Sequence, residues 1–378
     1  MQLRGSKQAA VAGGAVIAAL AIAACSSSSS SSSSSTPPGS SAASSPAASG
    51  AASGSGTINA SGSSFQNTYQ QAAIQAFKSV NPGITVNYQS VGSGTGRSNL
   101  YSNTVLFAGS DSPIPDSEKS KVPAGKTVLY FPVFIGPITL SYNLPGVTGL
   151  KLDATTIAKI FQGDIETWND PAIKALNPSA NLPSTAITTA VRSDSSGTTQ
   201  NFALYLQNAA PSVWKLGSSS TIKWPSTAHA GAQNTGVASI VKSTPGAIGY
   251  VDFSDAKASG LTFASVKNKA GQFVAPSPDA ASADAAGATI KSDLTFAAAG
   301  AGTTADSYPV SYQSWDLVYA QQPNANDVAM LKAYLGYLLG DGQKLLPDLS
   351  YAPLPSSLDQ KAIAQLDQIT VSSQGQPS

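Results

Sequence analysis

The sequence predicts an α/β fold built on a doubly wound, mainly parallel sheet. Strand-like and helix-like segments alternate between residues 57 and 111, in the order strand, helix, strand, helix, strand. A strand, a loop rich in hydroxyls and glycine, and a helix recur in "ITTAVRSDSSGTTQNFALYLQNA". The chain has 378 residues, of which 42% are hydrophobic, so it is long enough for about two domains.

The first elements follow from hydrophobic spacing. "TINASG" is a short strand that leads into a glycine-containing turn. Phe65, Tyr69, Ala73 and Phe77 recur near helical spacing and predict a helix that stops at the sequence "NPG". "ITVNYQSV" alternates like a strand, "GSGTGRSNLYSN" is a glycine-rich turn into a second helix, and "TVLFAGS" is a third strand.

Later segments continue the pattern. "TVLYFPVFIGPITLSYNL" is apolar and β-rich, and is either two strands or one strand that crosses between two lobes. "DATTIAKIFQGDIETWNDPAIKAL" predicts a helix, a turn and a short helix, and "GVASIVKSTPGAIGYVDF" predicts a helix, a turn and a strand. "ATIKSDLTFAAAGA" is expected to be helical, "SYPVSYQSWDLVYAQQ" has strand composition, and "NDVAMLKAYLGYLLGDGQKLL" is the clearest amphipathic helix.

The N-terminus has the pattern of a targeting segment. Arg4 and Lys7 precede an alanine-rich apolar run that ends in "AIAAC" at Cys25. This ending resembles the lipobox of bacterial lipoproteins, in which cleavage leaves the cysteine as a lipidated N-terminus. We therefore expect a signal peptide over residues 1–24 and a lipid anchor on the outer face of the cell membrane; the alternative is a signal peptide with an incidental cysteine. Residues 25–56, rich in Ser, Ala, Pro and Gly, predict a flexible tether.

Composition narrows the classes of partner. The formal net charge is +1 and only 11% of residues are charged, which argues against a nucleic-acid partner. The chain contains one histidine and one cysteine, too few for a thiolate or imidazole metal site or for a disulfide within the chain. We expect neither a metal nor another cofactor.

Three loops share one design: a strand ends, a short stretch of Ser, Thr and Gly follows, and a helix begins. The first loop is "ASGSSF" at 60–65, the second is "VGSGTGRS" at 91–98, and the third is "RSDSSGTT" at 192–199. A helix start offers free backbone N–H groups and partial positive charge. Glycines let the backbone approach a ligand and hydroxyls add donors, so the loops predict an anion site at the carboxyl ends of the strands.

Two more specific interpretations, a nucleotide-binding loop and a catalytic triad, fit the sequence poorly. In "GSGTGRS" three residues separate Gly92 from Gly96, and Arg97 stands where a Walker A loop needs lysine; the G-x-G-x-x-G fingerprint is also absent. Ser196 with His229 and an aspartate would suggest a catalytic triad, but there is no G-x-S-x-G elbow. His229 is expected in a polar, exposed loop.

The quoted motifs resemble a known family. "VNYQSVGSGTG", "FPVFIGPITLSYNLPG", "IAKIFQGDIETWNDPAI", "VRSDSSGTTQNF", "GVASIVKSTPGAIGYVDF" and "YAPLP" occur in the order seen in the high-affinity phosphate-binding proteins (PstS family) of bacterial ABC phosphate importers. The resemblance implies a two-lobed periplasmic-binding-protein (Venus flytrap) fold that closes on one phosphate ion. It also implies a monomeric solute-binding protein, not an enzyme, that delivers phosphate to a membrane permease. Lobe I would comprise 57–136 and 304–378, and lobe II 137–303.

The resemblance also implies individual site residues. They are, from lobe I, Ser64, Phe65, Ser93 and Asp111 and, from lobe II, Arg192, Ser196, Gly197 and Thr198, with Asp194 as the partner of Arg192. The sequence departs from the family pattern in two places: "GSGTG" replaces G-S-S-G-G, and "FAGSD" reverses a Gly-Ala order. Ser64 stands where many relatives have threonine, and it keeps the hydroxyl.

A carboxylate in an anion site is consistent with a ligand that keeps a proton. Asp111 would accept a hydrogen bond from a protonated phosphate oxygen. Fully ionised sulfate has no such proton and would leave a buried carboxylate unpaired. Two other functions stay open from the residues alone: a phosphoester hydrolase that binds phosphate as product, and a two-lobed receptor for another oxyanion such as molybdate or sulfate.

Overall fold

The computed structural model describes residues 54–372. The predicted signal peptide, Cys25 and the tether up to residue 53 lie outside the described residues. The described part of the chain begins beside the folded domain: the backbone N–H of Ser55 donates to Oδ1 of Asn326 over 3.1 Å, and Gly56 is the first residue of a strand.

Strands and helices alternate along most of the described chain. The strands are β1 Gly56–Gly62, β2 Ile84–Ser90, β3 Phe107–Ser110, β4 Val128–Tyr142, β5 Lys151–Leu152, β6 Thr188–Arg192, β7 His229–Gly231, β8 Ala247–Asp252, β9 Thr262–Phe263, β10 Ser265–Lys267, β11 Phe273–Val274, β12 Ser311–Tyr319, β13 Gln321–Gln322 and β14 Thr370–Val371. The α-helices are α1 Asn67–Val80, α2 Ser93–Tyr101, α3 Ala154–Gln162, α4 Pro171–Leu176, α5 Gly197–Ala209, α6 Gln233–Ser243, α7 Phe253–Ala258, α8 Pro278–Ala285, α9 Ala325–Leu339 and α10 Ser356–Gln365. Over residues 54–372, no helix is both long and apolar enough to cross a membrane.

The main sheet has the strand order β2-β1-β3-β12-β4-β8-β6-β7, with β9 beside β4. β1 pairs in parallel with β2 and β3, and β6 pairs in parallel with β7 and β8. β12 and β4 are antiparallel to their neighbours. The predicted α/β class is confirmed, and the parallel strands form two groups on either side of a central antiparallel pair.

Strand β4 joins these two groups. Its residues from Val128 to Pro137 pair with β12, and its residues from Ile138 to Tyr142 pair with β8. The apolar stretch that was compatible with two strands is therefore one strand of 15 residues. We call the sheet on the β12 side of β4, with its helices, the first half, and the sheet on the β8 side, with its helices, the second half.

Local sequence signals explain several helix ends. Asp153 caps α3 by accepting a hydrogen bond from the N–H of Thr156, and Gly163 ends the helix in the left-handed conformation. Asp170 caps α4, whose first residue is Pro171. The predicted order of helix, turn and short helix is therefore confirmed.

Two local predictions were wrong. Residues 288–301 are not helical; the helix of this region is α8, which comes before them. Asp293 Oδ1 accepts hydrogen bonds from the N–H and the hydroxyl of Thr295, and Leu294 has a φ of 63°, so the chain turns where a helix would continue. His229 is exposed, as expected, but it begins the edge strand β7 and does not lie in a loop.

Candidate functional site

The three predicted loops come together in the structure. Each begins at or next to the end of a strand of the main sheet: β1 and β2 in the first half, and β6 in the second half. The backbone N–H of Gly94 in the second loop donates to the carbonyl oxygen of Ser195 in the third over 3.0 Å. The carboxyl ends of these strands therefore share one site, as the rule for open α/β sheets requires.

Asp111 lies at the centre of this site, directly after β3, and is 1% exposed. Its Oδ1 accepts hydrogen bonds from the hydroxyls of Ser63 and Ser314, both 2.6 Å away, and its Oδ2 lies 3.2 Å from the hydroxyl of Ser93. Burial raises the pKa of Asp111 above its ordinary value. The hydroxyl hydrogen bonds and the positive charge of Arg192 oppose part of that rise.

Ser63 and Ser314 were not predicted. Ser63 is the neighbour of the predicted Ser64. The sequence "SGSSF" indicates that a hydroxyl lies at the site, but it does not show which of the two serines contacts Asp111. Ser314 is far away in the sequence. It reaches Asp111 because β12 runs antiparallel to β3 with Trp315 opposite Ser110, and because its pairing with β4 shifts register between Ser314 and Trp315.

Arg192 is the buried positive charge of the site, with 4% exposure. Its guanidinium binds the Asp194 carboxylate in a bidentate pair, with Nε 2.8 Å from Oδ1 and Nη2 bonded to Oδ2. Burial opposes the charge of Arg192, but hydrogen bonding to Asp194 and its negative charge raise the pKa of Arg192 above its ordinary value. For Asp194, burial is likewise outweighed by Arg192, and its pKa is lowered. Asp194 therefore holds the guanidinium charged and in one orientation.

The start of α5 supplies the neutral donors. The Ser196 hydroxyl accepts a hydrogen bond from the N–H of Thr199, which is an ordinary helix cap. The hydroxyl of Thr198 lies 3.4 Å from Nη1 of Arg192. A Cβ on Gly197 would lie 2.6 Å from the Asp111 Cβ and from the Ser93 Oγ, so only glycine fits where the halves approach.

The first loop contributes Ser64 and Phe65, both buried. The Phe65 ring stacks on Tyr312 of β12, with centroids 4.0 Å apart and an angle of 19°. Its carbonyl oxygen accepts a hydrogen bond from the Tyr351 hydroxyl over 2.8 Å. Phe65 therefore fixes the backbone of the first loop against the core of the first half.

The glycines of "GSGTG" serve packing within the site. A Cβ on Gly96 would come 2.4 Å from Gly62 Cα, and one on Gly94 would come 2.0 Å from the Ser195 hydroxyl. Arg97 is fully buried, forms an ion pair with Glu118 at 2.9 Å and donates to the Ser110 hydroxyl. This loop therefore brings α2 close to β1 and to the third loop. The guanidinium of Arg97 is bound by side chains of the protein itself, so it does not stand in for a Walker lysine.

Two amides that were not predicted connect the halves. Asn201 of α5 donates to the main-chain carbonyl of Asp111 over 2.6 Å. Asn234 of α6 donates to the hydroxyl of Ser64 over 3.2 Å and lies 3.4 Å from that of Thr198. Neither amide stands in one of the three loops. Asn201 lies in the quoted motif "VRSDSSGTTQNF" but was assigned no role there, and Asn234 lies in none of the quoted motifs.

The chemistry of the site is that of an anion receptor that also contains Asp111, a carboxylate bound by serine hydroxyls, whereas Asp194 is paired with Arg192. It combines Arg192, the start of α5 and several hydroxyls, which attract an anion, with the buried Asp111, which attracts a proton donor. Among residues 54–372, no cluster of three or more His, Cys, Asp or Glu side chains is arranged to hold a metal ion. A surface cleft of about 620 Å³ lies elsewhere, beside Asp153, Lys267 and Lys269, and contains none of the predicted site residues.

The fold and this site define the chain as a periplasmic-binding-protein-like receptor. The model of the PBP superfamily domain matches residues 47–341. Among solved structures, the high-affinity periplasmic phosphate-binding protein PfluDING, bound with phosphate, is similar with a TM-score of 0.67 and 21% identity, covering 82% of this chain and 94% of that one. A phosphate-binding protein from Stenotrophomonas maltophilia has a TM-score of 0.66 and 20% identity, with coverage of 82% and 94%.

Sequence relatives narrow the class. Phosphate-binding protein PstS 3 of Mycobacterium leprae is 37% identical over 320 residues, which is 81% of this chain and 85% of that protein. Phosphate-binding protein PstS of Pasteurella multocida is 38% identical over 298 residues, 78% of this chain and 85% of that protein. The chain belongs to the PstS family of phosphate-binding proteins, and the predicted family is confirmed.

Proposed function

We propose that this protein binds inorganic phosphate between its two halves and delivers it to the permease of an ABC importer. Membership of the PstS family supports the ligand and the transport role. The observation that carries the proposal is that one buried site contains groups of opposite charge type that do not pair with each other, the carboxyl of Asp111 on one side and the guanidinium of Arg192 on the other. A ligand that is an anion and also a hydrogen-bond donor satisfies both.

The ion would be held from both halves. The first half offers Ser64, the backbone at Phe65, Ser93 and Asp111. The second half offers the guanidinium of Arg192 and the start of α5, with Asp194 keeping the guanidinium in place. The α5 donors are the hydroxyls of Ser196 and Thr198 and the backbone N–H groups at Gly197 and Thr198. We assign the halves to lobe I (57–136 and 304–378, of which 373–378 lie outside the described residues) and lobe II (137–303). The two meet near Pro137, where β4 changes its pairing from β12 to β8.

Asp111 would select phosphate by its proton. A P–OH group donates to the carboxylate and takes the place of one of the serine hydroxyls that now bind it. Ionised sulfate has no proton, so it faces the carboxylate as a second negative charge without a hydrogen bond. Sites built around a ligand OH discriminate against analogues without it by roughly 10⁴–10⁵.

The protein acts as a receptor and needs no cofactor. The lipid anchor predicted at Cys25 and the predicted tether would hold it outside the cytoplasm, on the outer face of the cell membrane. We expect it to meet its permease there as a monomer. The hydrolase alternative requires a nucleophile with a base. Ser196, its candidate nucleophile, already caps α5, and His229 is exposed on the edge strand β7.

Calorimetric titration of the purified protein with phosphate, sulfate and molybdate tests this function. We expect one phosphate per chain and no binding of the two ionised competitors at the same concentrations. Equal affinity for phosphate and sulfate would overturn the proposal. Incubation of the protein with a chromogenic phosphoester tests the alternative. Hydrolysis that is lost in Ser196→Ala would favour a phosphoester hydrolase.

A further inference from the structure

Helix α6 begins at a backbone conformation that is unusual for its residue. Gln233 is the first residue of α6, is partly buried, and has a φ of 61°. This left-handed conformation is disfavoured for a side chain of this size. Such residues persist where the surroundings fix them, and they cluster at functional sites.

The contacts of Gln233 reach both halves. Its backbone N–H donates to Asp194 Oδ1 over 3.0 Å, on the carboxylate that holds Arg192. Its side-chain Nε2 donates to the carbonyl oxygen of Ser90 over 2.6 Å, and the Ser90 hydroxyl lies 3.2 Å from Oε1. Both ends of one amide therefore bind Ser90 of the first half, while the backbone of the same residue supports the charged pair of the second half.

Asn234 continues this connection. It is fully buried, and its Nδ2 lies between the hydroxyls of Ser64 and Thr198, one from each half. Within the described part of the chain, its Oδ1 has no hydrogen-bond partner. The dipeptide Gln233–Asn234 thus forms hydrogen bonds with both halves next to the proposed ion.

We propose that Gln233 is a positioning residue that sets how long bound phosphate is retained. The inference rests on the proposed function. Its two side-chain contacts with Ser90 exist only while the halves are together, so they stabilise the closed arrangement and not an open one. A bound ion can leave only when the halves separate, and contacts of the closed state alone therefore slow release. Gln233 itself does not need to touch the ion.

Two substitutions separate the contacts from the strain. Gln233→Ala removes both contacts with Ser90 and keeps a side chain at a left-handed backbone position. Gln233→Gly removes the same contacts and accepts that conformation without steric cost. Ser239→Ala, an exposed position on α6, is the matched control.

Release of ³²P-labelled phosphate during a chase with unlabelled phosphate gives the rate. We expect both Gln233 variants to release phosphate faster by about ten- to a hundredfold, the effect of losing the two hydrogen bonds with Ser90. Their preference for phosphate over sulfate should be unchanged, because Asp111 is intact. Gln233→Gly should also melt at a higher temperature than Gln233→Ala, because glycine relieves the strain.

Three outcomes would contradict the role of Gln233, and the last of them would also contradict the proposed function. Release at the wild-type rate from either folded variant overturns the role of Gln233 while leaving the proposed function in place. Faster release that comes with an equal loss of selectivity also overturns it, since the change would then lie in the ion site. If the wild-type protein retains no phosphate, the proposed function fails and this inference fails with it.

Discussion

The side-chain amide of Asn201 donates to the main-chain carbonyl oxygen of Asp111 over 2.6 Å and so ties α5 of the second half to the end of β3 in the first half. The same amide also donates to the carbonyl of Gly197 over 2.9 Å, within its own helix. One side chain therefore sets the distance between the start of α5 and the carboxylate proposed to read the ligand proton.

Asn201→Ala should weaken phosphate binding by about tenfold, because it removes a hydrogen bond worth about 1–1.5 kcal/mol that forms only between the halves. Calorimetric titration measures the change. Asn208→Ala, an exposed position on the same helix, should bind like the wild type. Equal affinities for the two variants would show that the contact does not contribute to closure.

Asp111→Asn should reduce the preference for phosphate over sulfate by about a hundredfold or more, because an amide no longer requires a proton from the ligand. The melting temperature should stay near that of the wild type, since the surrounding serine hydroxyls can rotate to accept from the new amide. Asp316→Asn, at another fully buried carboxylate, should keep the selectivity. An unchanged ratio of phosphate to sulfate affinity in Asp111→Asn would remove the proton-reading role.

Gly197→Ala should lower phosphate affinity by about ten- to hundredfold, since the new Cβ would lie 2.6 Å from the Asp111 Cβ and the halves would have to move apart. Gly336→Ala is the control. A Cβ there would meet only Leu366 Cδ1, at 3.6 Å, and in the interior of α9 alanine should raise stability by about 0.5–1 kcal/mol without changing affinity. Wild-type affinity in Gly197→Ala would contradict the close approach.

Stability should fall as the pH rises from about 4 to about 7. Burial raises the pKa of Asp316 to about 7, well above its unfolded value. The folded protein therefore binds more protons than the unfolded chain in this window. The stability that the neutral buried carboxyl contributes is lost as the pH rises through the window to about 7. Urea unfolding at pH 5 and pH 8 should show the wild type losing about 2–3 kcal/mol more than Asp316→Asn. An equal loss in both proteins would show that Asp316 does not titrate in this window.

Cys25→Ser should release the protein from the cell envelope into the medium or the soluble fraction, because the proposed lipid attachment needs the thiol. Immunoblots of membrane and soluble fractions measure the distribution, and labelling with a tagged fatty acid reports the lipid directly. A variant that stays in the membrane fraction at the wild-type level would exclude Cys25 as the anchor.

Local signals in the sequence were enough for much of this fold. The alternation from β1 to β3 follows from the spacing of apolar residues and from turns at glycine and proline, which depend on neighbouring residues only. The pair of Arg192 and Asp194 is also local, because the two residues are two positions apart at the end of β6. The helix predicted over 288–301 failed for a local reason, the turn that Asp293 stabilises.

The missing parts of the site depend on distant pairing. Ser314 meets Asp111 only because β12 lies antiparallel between β3 and β4, and hydrophobic spacing does not give the order of strands in a sheet. Asn234 reaches Ser64 from a different helix in the other half. Its amide has no motif of its own, and only the packing of α6 against the third loop brings it there.

The claim that one phosphate lies between the halves is tested most directly by a crystal structure of the protein grown with phosphate. We predict one ion with its oxygen atoms within about 2.5–3 Å of the Asp111 carboxylate and of the Arg192 guanidinium. An ion bound at another place, or one that contacts Arg192 while Asp111 still accepts only serine hydroxyls, would contradict the account.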